Sequence, residues 1–368
     1  MNASGQELDG RTRRGRAAAS VRAAAWVLGL LLACTSAQAG QFDWRARGVL
    51  FRVEAPPPPA AAVADGPAPA GEGAGGENGS AAGDDPGPDP TPAPASPEGG
   101  GPAVAEDAPP APPPAVNYVF ATIHYGDPDL LLLSMPRLRM HLGESKVLIN
   151  EVDLEEAWKP EYETYRLLSS GRTLSRLIGV EAFTELRRLL PDVAPETLDR
   201  LKPWVVMSML EFPFGQGEHE SLDQVLQKWA GEEGLARVHL ENLPDQLAAL
   251  DCVPADEYAV VLQQRLLRGW SFDLDAERTV GYYRQRDLAA WLEDLDTLHG
   301  LTGPALAAEG GIRRCLIGLR NERWMPVLED RLRQGGAFVA VGAIHLTGDE
   351  GLLAQLSRRG FVVSVEPW

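Results

Sequence analysis

The sequence predicts an α/β or α+β fold in which helices pack on one mixed β-sheet. Apolar segments with strand character lie near both ends of the chain, and the region between them has mostly helical periodicity. The C-terminal region is the clearest unit, since strand Ala337–Ala343, helix Asp349–Arg359 and strand Phe361–Val365 follow one another at the spacing of a βαβ unit. Such a unit implies parallel strands whose faces are covered by helices.

Two further strands are predicted towards the N-terminus, at Gly48–Val53 and Asn117–Ile123. Residues 55–116 between them are almost entirely Ala, Pro, Gly and acidic residues, so they contain too little apolar surface to offset the entropy of ordering. We therefore expect a disordered insertion, either at the tip of a hairpin or as a linker after a short N-terminal arm. The folded domain then consists of residues 40–54 and 117–368.

The middle of the chain is predicted to be mostly helical. Leu130–Leu142 has helical character, and Lys146–Asn150 is a short run typical of a buried strand. Ser221 and Gln224 have the spacing of a capping box at the start of a helix. The other predicted helices are Val180–Leu190, Ser221–Ala236, Asp256–Arg268, Arg286–Leu298 and Asn321–Arg333, the last interrupted by Pro326.

The first 39 residues have the pattern of a secretory signal. A basic region precedes the apolar run Ala23–Ala33, and Ala37–Ala39 matches an A-x-A cleavage site. This pattern predicts cleavage after Ala39 and a periplasmic or secreted mature protein without a transmembrane segment. Two alternatives stay open: a lipobox at Leu31–Cys34 that would place a lipid anchor on Cys34, and a weak twin-arginine match at Thr12–Arg14.

Charge and cysteine content restrict the class of partner and of chemistry. The formal net charge of −18 argues against electrostatic binding to nucleic acid or to anionic lipid. After signal removal the cysteines Cys252 and Cys315 remain, either as a disulfide or as two separate buried thiols. The sequence contains no C-x-x-C, so zinc or redox chemistry based on cysteine is not expected.

Three polar residues follow predicted strands directly. His124 follows strand Asn117–Ile123, and Glu151 follows strand Lys146–Asn150. His345 lies just past strand Ala337–Ala343. Because ligands of open α/β sheets bind beyond the carboxyl ends of the strands, these residues can share a site. Two imidazoles and a carboxylate can ligate a divalent ion such as Zn, Mn or Co. Without a metal, one His can act as a general base that Glu151 orients, or each His can merely cap its strand.

Other polar residues have simpler interpretations from the sequence alone. Arg320 and Asn321 begin a predicted helix, where Asn321 can act as N-cap and Arg320 can form a surface pair. The same capping role fits Glu241 and Gln246. Three other histidines are expected on the surface or in turns: His141, His239 and His299. The chain contains no H-E-x-x-H, G-x-S-x-G or Walker A motif.

The same strand-end residues lie in segments that resemble the TraB/GumN family. Ala121–Asp127 resembles the G-T-I-H-x-G opening of that family, and Val341–Leu353 resembles its closing V-G-A-x-H-L-x-G-x-x-G-L-L motif. Four shorter segments are also similar and occur in the family order: Val147–Asp153, Leu201–Trp204, Leu240–Leu247 and Arg320–Met325. The first motif departs from the family at Ala121, where the family has Gly, and Ala lacks the backbone freedom of Gly.

The resemblance implies an exported protein with a mixed central sheet. The family is related to the Tiki proteases and, more distantly, to the erythromycin esterase and ChaN-like proteins. In the Tiki branch two His and a Glu are associated with metal-dependent cleavage of peptide bonds. Carried over to this sequence, His124, Glu151 and His345 would be the catalytic and metal-binding core. Arg320 would contact an oxyanion or carboxylate, and Asn321 would orient Arg320 or a ligand.

Three functions are therefore compatible with the sequence. The first is a metal-dependent hydrolase of peptide or amide bonds, acting on an unidentified peptide or small molecule. The second is a non-catalytic envelope protein that binds a ligand in the same cleft, with a link to exopolysaccharide suggested by the name GumN. The third is a metal-free hydrolase that resembles the erythromycin esterases.

Overall fold

The computed structural model describes residues 41–57, 116–123, 127–211, 220–268, 270–298 and 300–367. The predicted signal with Cys34, nearly all of the predicted insertion, His124 and His299 lie outside these residues. The predictions that concern them, including the domain boundaries, stay predictions.

A six-stranded mixed sheet forms the centre of the described fold, with strand order β4-β3-β5-β2-β1-β6. Strand β1 pairs antiparallel with both β2 and β6, whereas β2–β5, β5–β3 and β3–β4 are parallel pairs. The mixed α/β class predicted from the sequence is confirmed. The strands are β1 (Leu50–Glu54), β2 (Asn117–Thr122), β3 (Val147–Asn150), β4 (Ala236–His239), β5 (Ala337–Gly342) and β6 (Val362–Val365).

Helices cover the sheet and form a second layer in the middle of the chain. They are α1 (Met135–Gly143), α2 (Glu163–Arg166), α3 (Leu174–Ile178), α4 (Val180–Leu189), α5 (Pro195–Leu198), α6 (Pro203–Glu211), α7 (Leu222–Glu232), α8 (Leu243–Leu250), α9 (Ala255–Leu266), α10 (Trp270–Arg284), α11 (Leu288–Leu298), α12 (Pro304–Arg313), α13 (Arg320–Gln334), α14 (Ala343–Leu346) and α15 (Leu352–Arg358). A 3₁₀ turn spans Pro160–Tyr162, and a π-helical turn, Arg314–Leu319, joins α12 to α13.

The described residues bury two apolar cores. The first joins the sheet to α1, α7, α13 and α15, with the fully buried strands β2 and β5 at its centre. The second lies among α3, α4, α6, α9 and α12 and contains no strand. Strands β2 and β5 are buried along their whole length, as expected for the centre of a sheet covered on both faces.

Most predicted elements are present, with three differences in detail. The predicted helix Ser221–Ala236 ends earlier, because Gly234 adopts a positive φ of 68° and the chain then forms β4, which sequence periodicity missed. Helix α13 continues through Pro326 rather than breaking there. In the C-terminal βαβ unit, β5 and β6 run in the same direction but β2 and β1 lie between them.

Other local predictions are confirmed. The capping box at Ser221 is formed in both directions, since its side chain accepts from the Gln224 N–H and its own N–H donates to the Gln224 side chain. Strands β1 and β2 form the antiparallel pair that the hairpin interpretation predicts, with Leu50 opposite Phe120. In the part of the chain that the structure describes, no helix has the length and apolar content needed to cross a membrane.

Cys252 and Cys315 form a disulfide, which decides between the two alternatives left by the sequence. The bond joins the loop before α9 to the π-helical turn, across 63 positions of sequence. It therefore fixes the segment that leads directly into α13.

Replacing both cysteines by Ser should lower the free energy of unfolding by about 2–4 kcal/mol, because the long loop would no longer be closed in the unfolded chain. Urea denaturation measures this change. A reductant should destabilise the wild type and leave the double variant unaffected; equal stability of the two proteins without reductant would contradict a stabilising disulfide.

Candidate active site

A buried guanidinium connects the elements that meet at the carboxyl edge of the parallel strands. Arg320, the first residue of α13, is 7% exposed. Its Nη2 donates to Glu151 Oε2 at 2.6 Å and to Glu241 Oε1 at 2.5 Å, and its Nε donates to Glu241 Oε1 at 3.0 Å. Its Nη1 lies 3.2 Å from Nε2 of His345 and donates to the Leu316 carbonyl. One cation thus contacts two carboxylates and an imidazole.

The two carboxylates follow the ends of neighbouring parallel strands. Glu151 directly follows β3, Glu241 follows β4 by two residues, and the Glu241 N–H donates to the Glu151 carbonyl. Glu151 Oε1 accepts from the N–H of Gly342, the last residue of β5. Glu241 Oε2 accepts from Trp324 Nε1 at 3.2 Å. Both carboxylates are buried, so these contacts determine their positions.

Asn321 sets the tautomer of His345. The Asn321 amide nitrogen donates to the carbonyls of His345 and Glu350, so its oxygen is the atom that faces His345 Nδ1, at 2.7 Å. Nδ1 therefore carries the proton in the neutral ring, and Nε2 has a lone pair. That lone pair faces Arg320, and Glu151 Oε1 lies 4.0 Å away. The ring of Trp324 packs on the imidazole, with 4.5 Å between ring centroids.

A second His–Asn pair lies nearby and uses the same chemistry. His239 Nδ1 lies 2.7 Å from Asn150 Oδ1, while the Asn150 amide nitrogen donates to Gln227 and to the Val152 carbonyl. His239 therefore also carries its proton on Nδ1. A cavity lies beside His345, and the His239 side chain does not line it. His239 therefore provides an internal control for His345.

Glu151, Arg320 and His345 lie in the wall of a cavity of about 520 Å³. The cavity extends from the carboxyl edge of the sheet to the helical layer, and its size suits a ligand of a few residues or a drug-sized molecule. Apolar side chains from both layers make up much of the wall: Val152, Leu154, Leu250, Ala276, Leu295, Ile312, Leu316, Ile317, Ala343 and Ile344.

The helical wall of the cavity carries a second buried arginine. Arg265 of α9 is 1% exposed, donates to Asp275 Oδ2 at 2.5 Å and also pairs with Glu211 at the end of α6. Like Arg320, it is one guanidinium between two carboxylates. Sequence reasoning missed it because Arg265 lies within a helix whose apolar periodicity was interpreted only as core. It ties α6, α9 and α10 together.

The cation at the sheet edge stays charged. Burial alone lowers the pKa of Arg320, but the attraction of Glu151 and the hydrogen bonds to Glu241 outweigh it and raise the pKa above its ordinary value. With two carboxylates and one permanent cation, the cluster of Glu151, Glu241 and Arg320 has a net negative charge when both acids are ionised.

The structure brings together four of the five site residues predicted from the sequence. Glu151, Arg320, Asn321 and His345 form one network, and His124 lies outside the described residues. The simpler interpretation of Arg320 and Asn321 as surface and capping groups is wrong, because both are buried and bonded to the site.

Glu241 was not in the predicted site, although it lies in one of the segments that carry the resemblance. It is buried against Arg320 rather than capping a helix; Asn242 caps α8 instead. Strand β4 would have indicated the position of Glu241, but the sequence analysis missed this strand.

The fold and the site define a mixed α/β protein with a buried Glu–Arg–His network at the carboxyl edge of its parallel strands. The model of the TraB/PrgY/gumN family matches residues 113–365, and the chain belongs to this family. The comparison with curated proteins and the comparison with solved structures found no match.

Replacing Arg320 by Met should lower the free energy of unfolding by about 3–5 kcal/mol at neutral pH, because Glu151 and Glu241 would remain buried without their cation. The loss should shrink as the pH falls, since protonation removes the unpaired charges. Denaturation at several pH values measures this.

The matched control is Arg237→Met. Arg237 pairs with Glu155 on the surface, with side chains 36% and 62% exposed, and its loss should cost less than about 1 kcal/mol. An equal loss of unfolding free energy in Arg320→Met and Arg237→Met would contradict the assignment of Arg320 as the cation that compensates the buried carboxylates.

Replacing Asn321 by Leu should shift the tautomer of His345 away from the form protonated on Nδ1, because the substitution removes the oxygen that accepts the Nδ1 proton. Nitrogen-15 NMR of the imidazole reports the tautomer. Asn150→Leu should change the tautomer of His239 and leave His345 as it is; a His345 spectrum unaffected by Asn321→Leu would refute the assignment.

Proposed function

We propose that this protein is an exported hydrolase of peptide or amide bonds that works with a divalent metal ion held by His345 and Glu151. One observation carries the proposal. A buried imidazole, fixed in one tautomer by Asn321, turns its lone pair towards a buried carboxylate and an arginine in the wall of a ligand-sized cavity. Such clusters of buried polar groups in the wall of a cleft are typical of active sites.

The donors fit a metal ion in part. His345 Nε2 and Glu151 Oε1 are one nitrogen and one oxygen donor 4.0 Å apart. Two ligands of a tetrahedral ion at about 2.0–2.2 Å lie about 3.3–3.6 Å from each other, so both would have to move closer together to bind one ion. The Asn321 bond to Nδ1 is the usual support of a metal-binding histidine. The described residues contain no group of three or more His, Cys, Asp or Glu placed for a metal. His124, outside them, is the predicted third ligand.

Each described residue has a defined task in this proposal. A bound ion would polarise a substrate carbonyl and activate water. His345 and Glu151 would supply the donor atoms, and Arg320 holds Glu151 in place through its own hydrogen bond to that carboxylate. Asn321 and Glu241 are positioning residues, since they bond to His345 and Arg320 respectively. The apolar wall limits access of bulk water.

The disulfide supports the proposal of export. Disulfides persist mainly in oxidising compartments such as the periplasm or the extracellular space, and Cys252 and Cys315 are bonded to each other. This agrees with the predicted cleavage after Ala39 and with a periplasmic or secreted location.

A metal-free hydrolase is the second candidate, favoured by one contact. Arg320 Nη1 lies 3.2 Å from His345 Nε2 and occupies a position next to the lone pair that an ion would need. In this version Nε2 of His345 takes the proton of the attacking water, and Glu151 stabilises the imidazolium that results. The residues are the same, so metal content distinguishes the two candidates.

Elemental analysis of protein purified without chelator or affinity metal tests the proposal first. We expect nearly one equivalent of Mn, Zn or Co in the wild type and in His239→Ala, and loss of the metal in His345→Ala and Glu151→Gln. Absence of metal from the wild type, even after soaking with each ion, would exclude the metal-dependent hydrolase and leave the metal-free hydrolase as the candidate.

Activity is tested with a panel of blocked fluorogenic peptides. His345→Ala and Glu151→Gln should lower the rate at least about 100-fold, whereas His239→Ala should stay close to the wild type. If wild type and His345→Ala show the same rate, neither version of the hydrolase survives, and a binding role in the envelope becomes the better account.

A further inference from the structure

The disulfide joins the two chain segments that present the central charges of the site. Cys252 follows Glu241 by eleven residues, with α8 between them, and Cys315 precedes Arg320 by five residues. Glu241 and Arg320 themselves form a buried ion pair, with 2.5 Å between Arg320 Nη2 and Glu241 Oε1. The covalent bond and the ion pair therefore tie the same two segments together at two different places.

Both segments also form part of the cavity wall. In α8 the side chains of Gln246 and Leu250 line the cavity, and in the π-helical turn those of Leu316 and Ile317 line it. Helix α8 packs against the π-helical turn, so these two parts of the wall are in contact. A change in how the two segments meet would therefore alter the shape of the cavity as well as the position of Arg320.

The π-helical turn is the adjustable part of this arrangement. Helix α12, the turn Arg314–Leu319 and α13 follow one another directly, so the turn interrupts one long helix immediately before Arg320. Turns of this kind are rare and are frequently found at functional sites. Conversion of the turn to α-helix would rotate α12 and α13 against each other by roughly 100°, the angle of one residue. It would also move the Leu316 carbonyl, which accepts from Arg320 Nη1.

Thiols can reach the disulfide from solvent. Cys252 is exposed, and Cys315 is half-buried. Thiol–disulfide exchange begins with the attack of a thiolate on one sulfur, so its rate depends on access to the bond. Reduction would leave the π-helical turn joined to the Cys252 segment by noncovalent contacts alone, across 63 positions of sequence.

We propose that the Cys252–Cys315 disulfide is a redox switch of the candidate active site. In the dithiol form the π-helical turn changes register, and Arg320 loses its fixed place between Glu151 and Glu241. Oxidation forms the bond and assembles the site. The consequence for catalysis rests on the proposed hydrolase function, whereas the change at Arg320 does not.

The oxidant is a protein disulfide of the C-x-x-C class. Its S–S bond breaks as the bond between Cys252 and Cys315 forms, and the two electrons and two thiol protons pass to its sulfur atoms. Disulfides form in exported compartments, whereas the cytosol keeps thiols reduced. A chain with this switch is inactive where it is synthesised and becomes active after export.

Amide hydrogen exchange measured by mass spectrometry tests the switch without requiring turnover. The wild type is compared in its oxidised form and after reduction with dithiothreitol, under conditions in which circular dichroism shows that it stays folded. We expect reduction to accelerate exchange at residues 312–322 at least about tenfold and to leave β5 unchanged, because only the segment next to the bond is released. The double variant Cys252→Ser/Cys315→Ser should show the fast exchange with and without dithiothreitol.

A control variant separates the switch from a general loss of stability. Leu138 is fully buried in α1, and Leu138→Ala removes core packing without changing the disulfide. The oxidised Leu138→Ala variant should keep the slow exchange at residues 312–322.

Hydrolysis of the blocked fluorogenic peptides is the second readout. Reduction should lower the rate of the wild type at least about tenfold, because Arg320 no longer holds Glu151 in place. Reoxidation should restore the rate, and the oxidised Leu138→Ala variant should stay close to the wild type.

The outcomes separate the switch from the hydrolase. Resistance of the bond to dithiothreitol in the folded protein, equal exchange in the two forms, or a uniform rise along the whole chain would overturn the switch. An unchanged hydrolysis rate after reduction would overturn it as well. A local rise at residues 312–322 in a protein that cleaves no peptide in either form would support the switch and count against the hydrolase.

Discussion

The buried charge of Arg320 is the constraint on which the site depends. A guanidinium that is nearly excluded from solvent needs compensating charge, and the fold supplies it from two strand ends, at Glu151 and Glu241. Burying three charges together costs solvation free energy that an apolar cluster would not cost. The charged cluster instead fixes positions. It holds β3, β4 and α13 in one arrangement and places His345 against the same cation.

The helical layer also helps to hold Arg320 in place. The π-helical turn Arg314–Leu319 leads into Arg320, provides the Leu316 carbonyl that accepts from its Nη1, and is anchored by the disulfide at Cys315. The cavity lies between this layer and the sheet edge, and Arg265 repeats on the helical side the pairing of one guanidinium with two carboxylates. Both walls are therefore acid-rich, which favours uncharged or cationic ligand groups over anions.

Much of the fold and of the site could be predicted from the sequence, for reasons that differ by element. Apolar runs such as Ala337–Gly342 and the capping box at Ser221 are local signals, and both are confirmed. Glu151 and His345 were placed correctly because strand ends of a parallel sheet meet at one edge. Glu241 was missed because β4 has only half-buried and exposed residues and so lacks an apolar pattern. Arg265 was missed because its partners lie on other helices, and such pairings carry no local signal.

A double-mutant cycle between Arg320 and Glu241 tests the central claim most directly. The free energies of unfolding of the wild type, Arg320→Met, Glu241→Gln and the double variant give the interaction between the two side chains. If Arg320 is the cation that organises the buried cluster, the interaction should be about 2 kcal/mol or more, with the double variant more stable than additivity of the single changes predicts. An interaction near zero would contradict this, because the two side chains would then contribute independently.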